Sequence, residues 1–409
     1  MRKILFVDDD PNVLRGLGRM LHGMRGQWNM AFVSGGPEAL EMLAREPFDV
    51  VVTDMRMPGM DGAQLLSEVM ARHPHIVRII LSGQSDQEFV LRSVGPAHQF
   101  LSKPCEAEVL QSVVARAFAL RELVASEPLR QAISQVRTLP SLPVLYVQLV
   151  QELRSDWTSL QQIGEIVRRD VGMSAKVLQL VNSAFFGLPR RLSNPVEAVC
   201  YLGVETIKAL VLSIHVFAEL REDALGGVHL DWLFEHSLTT GRLAGEIARA
   251  EHADSRTRDE ALVAGMMHDV GELVLATQLS DRFLKAVEVS EGRRIQMWQA
   301  EQEVLGATHA EIGAYLLGLW GLPQPIVEAV AYHHRPSEYL AQLGSSKALP
   351  KIPLWVHAAD ALLHETSDPR SPGFAPRLNS KCLEAAGYAE RLPAWRELAA
   401  SSGHEGVAA

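Results

Sequence analysis

Aspartates stand directly after apolar runs at Asp8-Asp9-Asp10 and at Asp54, a hydroxyl follows another run at Ser82, and a lysine followed by proline ends the next at Lys103-Pro104. Carboxylates brought together repel unless a cation joins them, and an oxygen-rich cluster with room for water suits Mg2+. Asp54 in such a cluster could take a phosphoryl group, because that chemistry depends mainly on positioning and charge neutralisation, which the ion and Lys103 would supply. Taken singly, each acidic residue reads at least as well as a cap on the following helix. Their recurrence at successive run ends is what favours chemistry. Asp10, before Pro11, is the exception and is better read as an N-cap.

The runs that would carry these residues span 3–7, 49–53, 78–82 and 97–101, with a weaker one at 30–33. They are short, apolar and bounded by amphipathic stretches such as 37–45 and 62–72, the pattern of strands buried on both faces of a parallel α/β sheet. Open sheets of this kind place ligands outside the carboxyl ends of their strands, which is where the charged residues fall.

The strings Val-Asp8-Asp9, Val-Thr-Asp54-Met-Arg-Met-Pro58-Gly-Met-Asp61-Gly62, Leu-Ser82-Gly and Phe100-Leu-Ser-Lys103-Pro104 resemble a response-regulator receiver domain over about residues 1–120. The resemblance implies a flavodoxin-like, five-stranded parallel sheet and phosphorylation by a sensor histidine kinase. It assigns Asp54 as phosphoacceptor, Asp8 and Asp9 with Asp54 as the Mg2+ ligands, Ser82 as the hydroxyl on the phosphoryl group, Phe100 as the aromatic switch and Lys103 as its counter-charge.

Beyond this region, residues 106–126 carry apolar positions 109, 110, 113, 114, 117, 120, 123 and 124, a helical stripe. It predicts one helix joining two domains, with 121–137 as linker. Its free end either packs on its own sheet or pairs with a second protomer, so a homodimer is one option. From residue 126 on, strand-like runs nearly vanish and amphipathic segments at 144–153, 160–169, 174–182, 195–202 and 205–220 predict an all-α region. We read 369–373 as a surface loop and 401–409 as a frayed tail.

In that helical region His236, His268-Asp269, His309, His333-His334 and Asp360 each lie on or at the end of an apolar helix. Inward-facing histidines and carboxylates from several helices suit a transition metal (Fe, Mn or Zn), while a hydrogen-bonded polar core is the competing explanation. Their order resembles the HD phosphohydrolase superfamily. A closer resemblance, to the HDOD output domain, rests on Leu-Pro-Ser-Leu-Pro143, Arg169-Asp170-Val-Gly-Met-Ser-Ala-Lys-Val-Leu178, Leu-Val-Asn182-Ser-Ala-Phe-Phe-Gly187, Ala198-Val-Cys-Tyr-Leu-Gly203 and Trp320-Gly-Leu-Pro323. That family implies a helical regulatory relative of HD hydrolases, often non-catalytic, in bacterial signalling proteins; here it would span 138–340, with a helical extension and tail at 341–409.

The hydrolase resemblance would make His236, His268, Asp269 and Asp360 metal ligands, with His309, His333 and His334 serving a second ion bridged by Asp269. Two departures weaken it. Glu272 stands where catalytic HD motifs commonly have lysine, and no Gly-Tyr-Pro follows His333-His334.

Composition bounds the remaining readings. The 409 residues carry 39 basic and 49 acidic side chains, net −10, which argues against nucleic-acid binding. Cys105, Cys200 and Cys382 form no close pair and fit a reducing cytoplasm, and no segment has the length of a membrane span. The expected protein is a cytoplasmic phosphorelay response regulator whose HDOD region binds an unknown downstream signalling protein. The alternative is a receiver-gated, metal-dependent phosphohydrolase acting on a cyclic dinucleotide or nucleotide.

Overall fold

A computed structural model describes residues 2–82, 96–136, 139–141, 143–154, 159–182, 188, 190–208, 211, 218–219, 230–343, 351–365 and 376–405. The sequence motif at 183–187, the loop at 369–373 and the last residues of the tail, 406–409, lie outside the described residues, as does most of the segment after Lys208.

The N-terminal domain is a parallel sheet of β1 (Arg2–Val7), β2 (Trp28–Val33), β3 (Val50–Asp54), β4 (Val77–Ser82) and β5 (Gln99–Ser102), in the order β2-β1-β3-β4-β5. This is the flavodoxin-like order, which the doubly wound α/β class uses to put a ligand site at the β1/β3 switch point. Ile4, Val50, Val51, Val52, Val77, Ile79 and Ile80 are fully buried, as strands covered on both faces require. The weak run at 30–33 is a full strand. Helices α1 (Pro11–Met20), α2 (Gly36–Arg45) and α3 (Gly62–Arg72) pack on the sheet. The Asp10 side chain accepts from the Asn12 backbone N–H and caps α1.

The connector differs from the expected single helix. Helix α4 (Ala107–Leu123) stops, Val124 is extended, and a separate α5 (Glu127–Ser134) begins with a proline in its first turn. Pro128 has no N–H to donate to the Val124 carbonyl, as a continuous helix would require, and Arg130 reaches back to that oxygen at 2.6 Å, so the chain turns instead of running on. Rather than a free end, α4 presents Leu120 and Arg116 to the helical domain.

That domain begins with β6 (Pro140–Ser141), α6 (Pro143–Arg154), α7 (Leu160–Arg168), α8 (Val171–Val181) and α9 (Pro195–Lys208), which kinks at Gly203, φ 78°. A two-residue parallel pairing of β6 with β7 (Ala218–Glu219) is its only described sheet. There follow α10 (Leu230–Ala250), α11 (Ser255–Met266), α12 (Val270–Gln278), α13 (Ser280–Arg293), α14 (Met297–Leu305), α15 (His309–Leu319), α16 (Gln324–Tyr332), α17 (Pro336–Leu343) and α18 (Ile352–His364). After α19 (Ser380–Ala385), α20 (Leu392–Glu405) closes the chain, so the expected frayed tail is helical through Glu405. Cys105, Cys200 and Cys382 are all free.

Candidate functional sites

At the carboxyl edge of the sheet, β1 delivers Asp8 and β3 delivers Asp54, both buried, while Asp9 is exposed. The Lys103 ammonium lies 2.7 Å from Asp8 Oδ2 and also bonds Asp54 Oδ1. The other Asp54 oxygen accepts from the Arg56 backbone N–H at 3.0 Å. Burial raises the Asp54 carboxyl above its ordinary value; Lys103 pulls it down and Asp8 pushes it up. Burial lowers Lys103, but its two carboxylates outweigh that and raise it. One ammonium joins Asp8 and Asp54, and Asp9 follows Asp8 in sequence; oxygen donors of this kind suit Mg2+, which retains water, but their carboxylates do not close into a group of three within reach of one ion as the helical-domain residues do. Ser82 ends β4 and pairs in register with Ser102 of β5; it is buried, as is Phe100.

Phe100 also lies beside the second domain. A cavity of about 310 Å³ between β5, α4 and the helical domain is lined by Phe100, Val113, Gln179, Arg191 and Trp320 among others. Around it, Gln179 donates to the His98 carbonyl oxygen at 3.5 Å and Gln99 donates to that of Gly318 at 3.4 Å. Arg116 and Arg191 bond the carbonyls of Leu322 and Gly321 past the end of α15. Cationic side chains satisfying carbonyls at a helix C-terminus are a structural arrangement, and it accounts for the placement of Arg116 and Arg191.

In the helical domain every residue of the expected metal set converges. His236 (α10) places Nε2 3.2 Å from Asp360 Oδ1 (α18), and His268 Nε2, at the end of α11, lies 2.9 Å from Asp269 Oδ2 and 3.6 Å from Asp360 Oδ1. On the other side of Asp269, its Oδ1 faces His309 Nε2 at 3.4 Å and His333 Nε2 at 3.6 Å. His334 Nε2 is 2.8 Å from His309 Nε2. Two groups of donors result, His236-His268-Asp360 and Asp269-His309-His333-His334.

The outer contacts determine which nitrogens face inward. His268 Nδ1 donates to the Gly265 carbonyl at 2.7 Å and His333 Nδ1 to that of Val330 at 2.8 Å. His309 Nδ1 bonds Glu301 at 2.8 Å, and the same carboxylate accepts the His309 backbone N–H. Each ring therefore turns its Nε2 toward the centre, the arrangement by which backbone and carboxylate partners orient metal-binding imidazoles. His268 Nε2, His333 Nε2 and Asp360 Oδ2 are buried without hydrogen-bond partners, which is costly unless something else fills the role. His357 is the contrast: Nδ1 bonds the His333 carbonyl and Nε2 accepts from the Asn379 N–H, so it is a satisfied core histidine. The donor set fits a transition-metal ion, which on binding would displace the proton that Asp269 and Asp360 hold on His268 up to about 10 despite its burial.

Three further residues belong to this site. His364 lies 3.0 Å from Asp360 Oδ1, one helical turn along α18; the i, i+4 spacing in an apolar helix was a readable signal. Glu301 carried none, because it meets His309 across the turn between α14 and α15. Glu272, expected as a misplaced lysine position, is buried in α12 near His309, and burial together with Asp269 pushes its carboxyl well above the usual range. The space beside these groups is a cavity of about 20 Å³ edged by Trp232, Trp298 and Pro376, room for roughly one or two waters or an ion.

The family model for the response regulator receiver domain matches residues 4–115, and that for the HDOD domain matches residues 139–336. The chain therefore belongs with proteins that join a receiver to an HDOD domain. A protein of Treponema pallidum (strain Nichols) described as uncharacterized is 28% identical over 214 residues, covering 50% of this chain and 40% of its own. The response regulator protein FleR of Pseudomonas aeruginosa is 38% identical over 127 residues, 31% of this chain and 26% of its own. The chain thus spans well under half the length of these relatives. Among solved structures, the signal receiver domain of an HD domain-containing protein from Pseudomonas fluorescens Pf-5 is 26% identical, with a TM-score of 0.28, covering 30% of this chain and 97% of that one. No helix among the described residues is long and apolar enough to cross a membrane.

Proposed function

We propose that this protein is a cytoplasmic phosphorelay response regulator, phosphorylated on Asp54 by a sensor histidine kinase, with its HDOD domain acting as a regulatory, protein-binding output. The observation that carries the reading is Lys103, whose single ammonium joins Asp54 to Asp8 at the carboxyl edge of the sheet. In this reading Asp8, Asp9 and Asp54 hold Mg2+, which neutralises charge on the incoming phosphoryl group. Lys103 and Ser82 bind the phosphoryl oxygens, and Phe100 adjusts beneath them. Because β5 and α4 are docked on the helical domain through Gln99, Arg116 and Leu120, a change at Phe100 has a direct route to the output. Acetyl phosphate with Mg2+ should add one phosphoryl group to the wild-type chain, read by intact mass, and none to Asp54→Ala; identical masses would end the proposal.

A second element is favoured by the unpartnered nitrogens of the helical domain: His236, His268, Asp269 and Asp360, with His309, His333 and His334, hold a transition metal. The metal there serves structure and binding rather than hydrolysis. Glu272 offers no positive charge to a phosphate ester, and Asp269 and Glu301 beside it add carboxylates. A hydrolysis screen on nucleotides and cyclic dinucleotides with metal-loaded protein tests this, and turnover lost in His268→Ala would restore the phosphohydrolase alternative.

A further inference from the structure

We infer that metal occupancy of the histidine cluster and phosphorylation of the receiver are thermodynamically linked through helix α15, so that each changes the affinity for the other. The inference rests on the two sites proposed above and adds a coupling between them.

Helix α15 touches both. Its first residue is His309, and a capping box of Thr308 and Glu311 fixes that end. At its other end Gly318 is in such close contact with Leu120 of α4 that a Cβ there would overlap the leucine, and the Gly318 carbonyl accepts from Gln99 of β5. Gly318 follows His309 by nine residues, about 14 Å of helix at 1.5 Å per residue. Gln99 is adjacent to Phe100, and β5 pairs directly with β4, which ends in Ser82. The helix thus runs from the strand carrying the proposed switch to a proposed metal ligand.

Helix α15 cannot shift alone. A Cβ on Gly271 would overlap the His309 carbonyl oxygen, and one on Gly313 would press on Val270 and the Gly271 nitrogen. With backbones in contact, α12 and α15 behave as one body, and Asp269 stands immediately before α12. The bridging carboxylate and His309 are consequently carried together, while His236 and Asp360 come from α10 and α18, which pack on each other. A second tie reinforces the first: α5 packs against both α12 and α15, and its Ser134 carbonyl accepts from the buried Arg78 of β4 at 2.7 Å. Metal binding tolerates ligand displacements of only about 0.2 Å. A sub-ångström repacking at β5–α4 is therefore sufficient to alter metal affinity, and linkage requires the reverse effect to be equal.

The test uses the full chain, Zn2+ as the metal and beryllofluoride with Mg2+ as a tetrahedral phosphoryl analogue. Zn2+ titrated calorimetrically with and without beryllofluoride should show affinities differing by about 5-fold or more. Beryllofluoride titrated with and without Zn2+ should shift by the same factor. In His333→Gln the Zn2+ effect on beryllofluoride should vanish. Gln99→Ala, and separately Leu120→Ala, touch neither site and should keep both ligands while reducing the factor toward one. Equal affinities in both directions overturn the linkage with both sites intact. Failure of Zn2+ to bind overturns it together with the metal reading, and failure of beryllofluoride overturns it together with the receiver reading, so the cause of any failure is identified.

Discussion

His309 and His334 face each other nitrogen to nitrogen, Nε2 to Nε2 at 2.8 Å, deep in the helical domain. Glu301 already occupies the other nitrogen of His309, and burial together with His333 and His309 holds His334 well below the ordinary imidazole value. Glu301 and Asp269 raise His309 well above the ordinary value despite its burial, so an N–H can bridge the two rings; an ion about 2.0–2.1 Å from each nitrogen would displace that proton. Zn2+ at a hundredfold excess over its Kd should then stabilise the chain by about 2.7 kcal/mol, seen as a raised unfolding midpoint in urea. His309→Ala should show no such gain, and an equal gain in that variant would place the ion elsewhere.

Glu301→Gln keeps the shape of the partner of His309 and removes its charge. Partners of this kind typically contribute 10- to 100-fold to metal affinity, so Zn2+ should bind that much more weakly by competition with a chelating dye. Circular dichroism should be unchanged.

Arg78 is 1% exposed and donates to the carbonyls of Pro74, Ile76, Pro96 and Ser134. Arg78→Ala leaves these acceptors buried and unpaired and opens a cavity, and should lower the free energy of unfolding by about 3 kcal/mol or more. Arg78→Lys should recover only part, since one ammonium cannot reproduce the planar fork. Denaturation in urea measures both.

Lys176 is buried over Trp320, 4.2 Å from the ring centre, with one hydrogen bond to Gln179. Burial lowers its amine to about 7. The unfolded chain, where lysine titrates near its ordinary value, therefore binds more protons than the folded one between about pH 7 and 10.5, and stability rises with pH across that window. Lys176→Met removes this dependence. Its stability relative to wild type should fall by about 2–4 kcal/mol between pH 6 and pH 10, and parallel urea midpoints across that range would contradict the burial.

At the receiver edge, burial raises the Asp54 carboxyl above its ordinary value. Its folded form binds a proton more tightly than the unfolded form, so its ionisation weakens the fold as pH rises through the raised value and leaves no penalty below the ordinary one. Asp54→Asn should accordingly be more stable than wild type at pH 7, by roughly 0.5–1 kcal/mol, with the difference disappearing toward pH 3 in thermal unfolding.

The receiver was legible because its chemistry is tied to secondary structure: Asp8, Asp54, Ser82 and Lys103 each follow a strand, and a parallel sheet brings strand ends to one edge whatever the details of packing. The histidine set was legible as residue types on apolar helices, while its division into two groups across Asp269 was implied only by the resemblance to HD hydrolases. His364 was missed although its spacing from Asp360 was available, and Glu301 could not be found because its meeting with His309 depends on how α14 and α15 are turned.

Sequence by itself determined the two halves, the order of strands and helices, and which side chains could bind a phosphoryl group or an ion, since these follow from local periodicity and residue chemistry. Tertiary structure decided what those groups face. Which imidazole nitrogen faces the centre, that Arg78 and Lys176 are buried, and that α15 spans from Leu120 to Asp269 all depend on contacts between residues far apart in the chain. Such contacts are set by the close packing of whole helices, which no local pattern encodes.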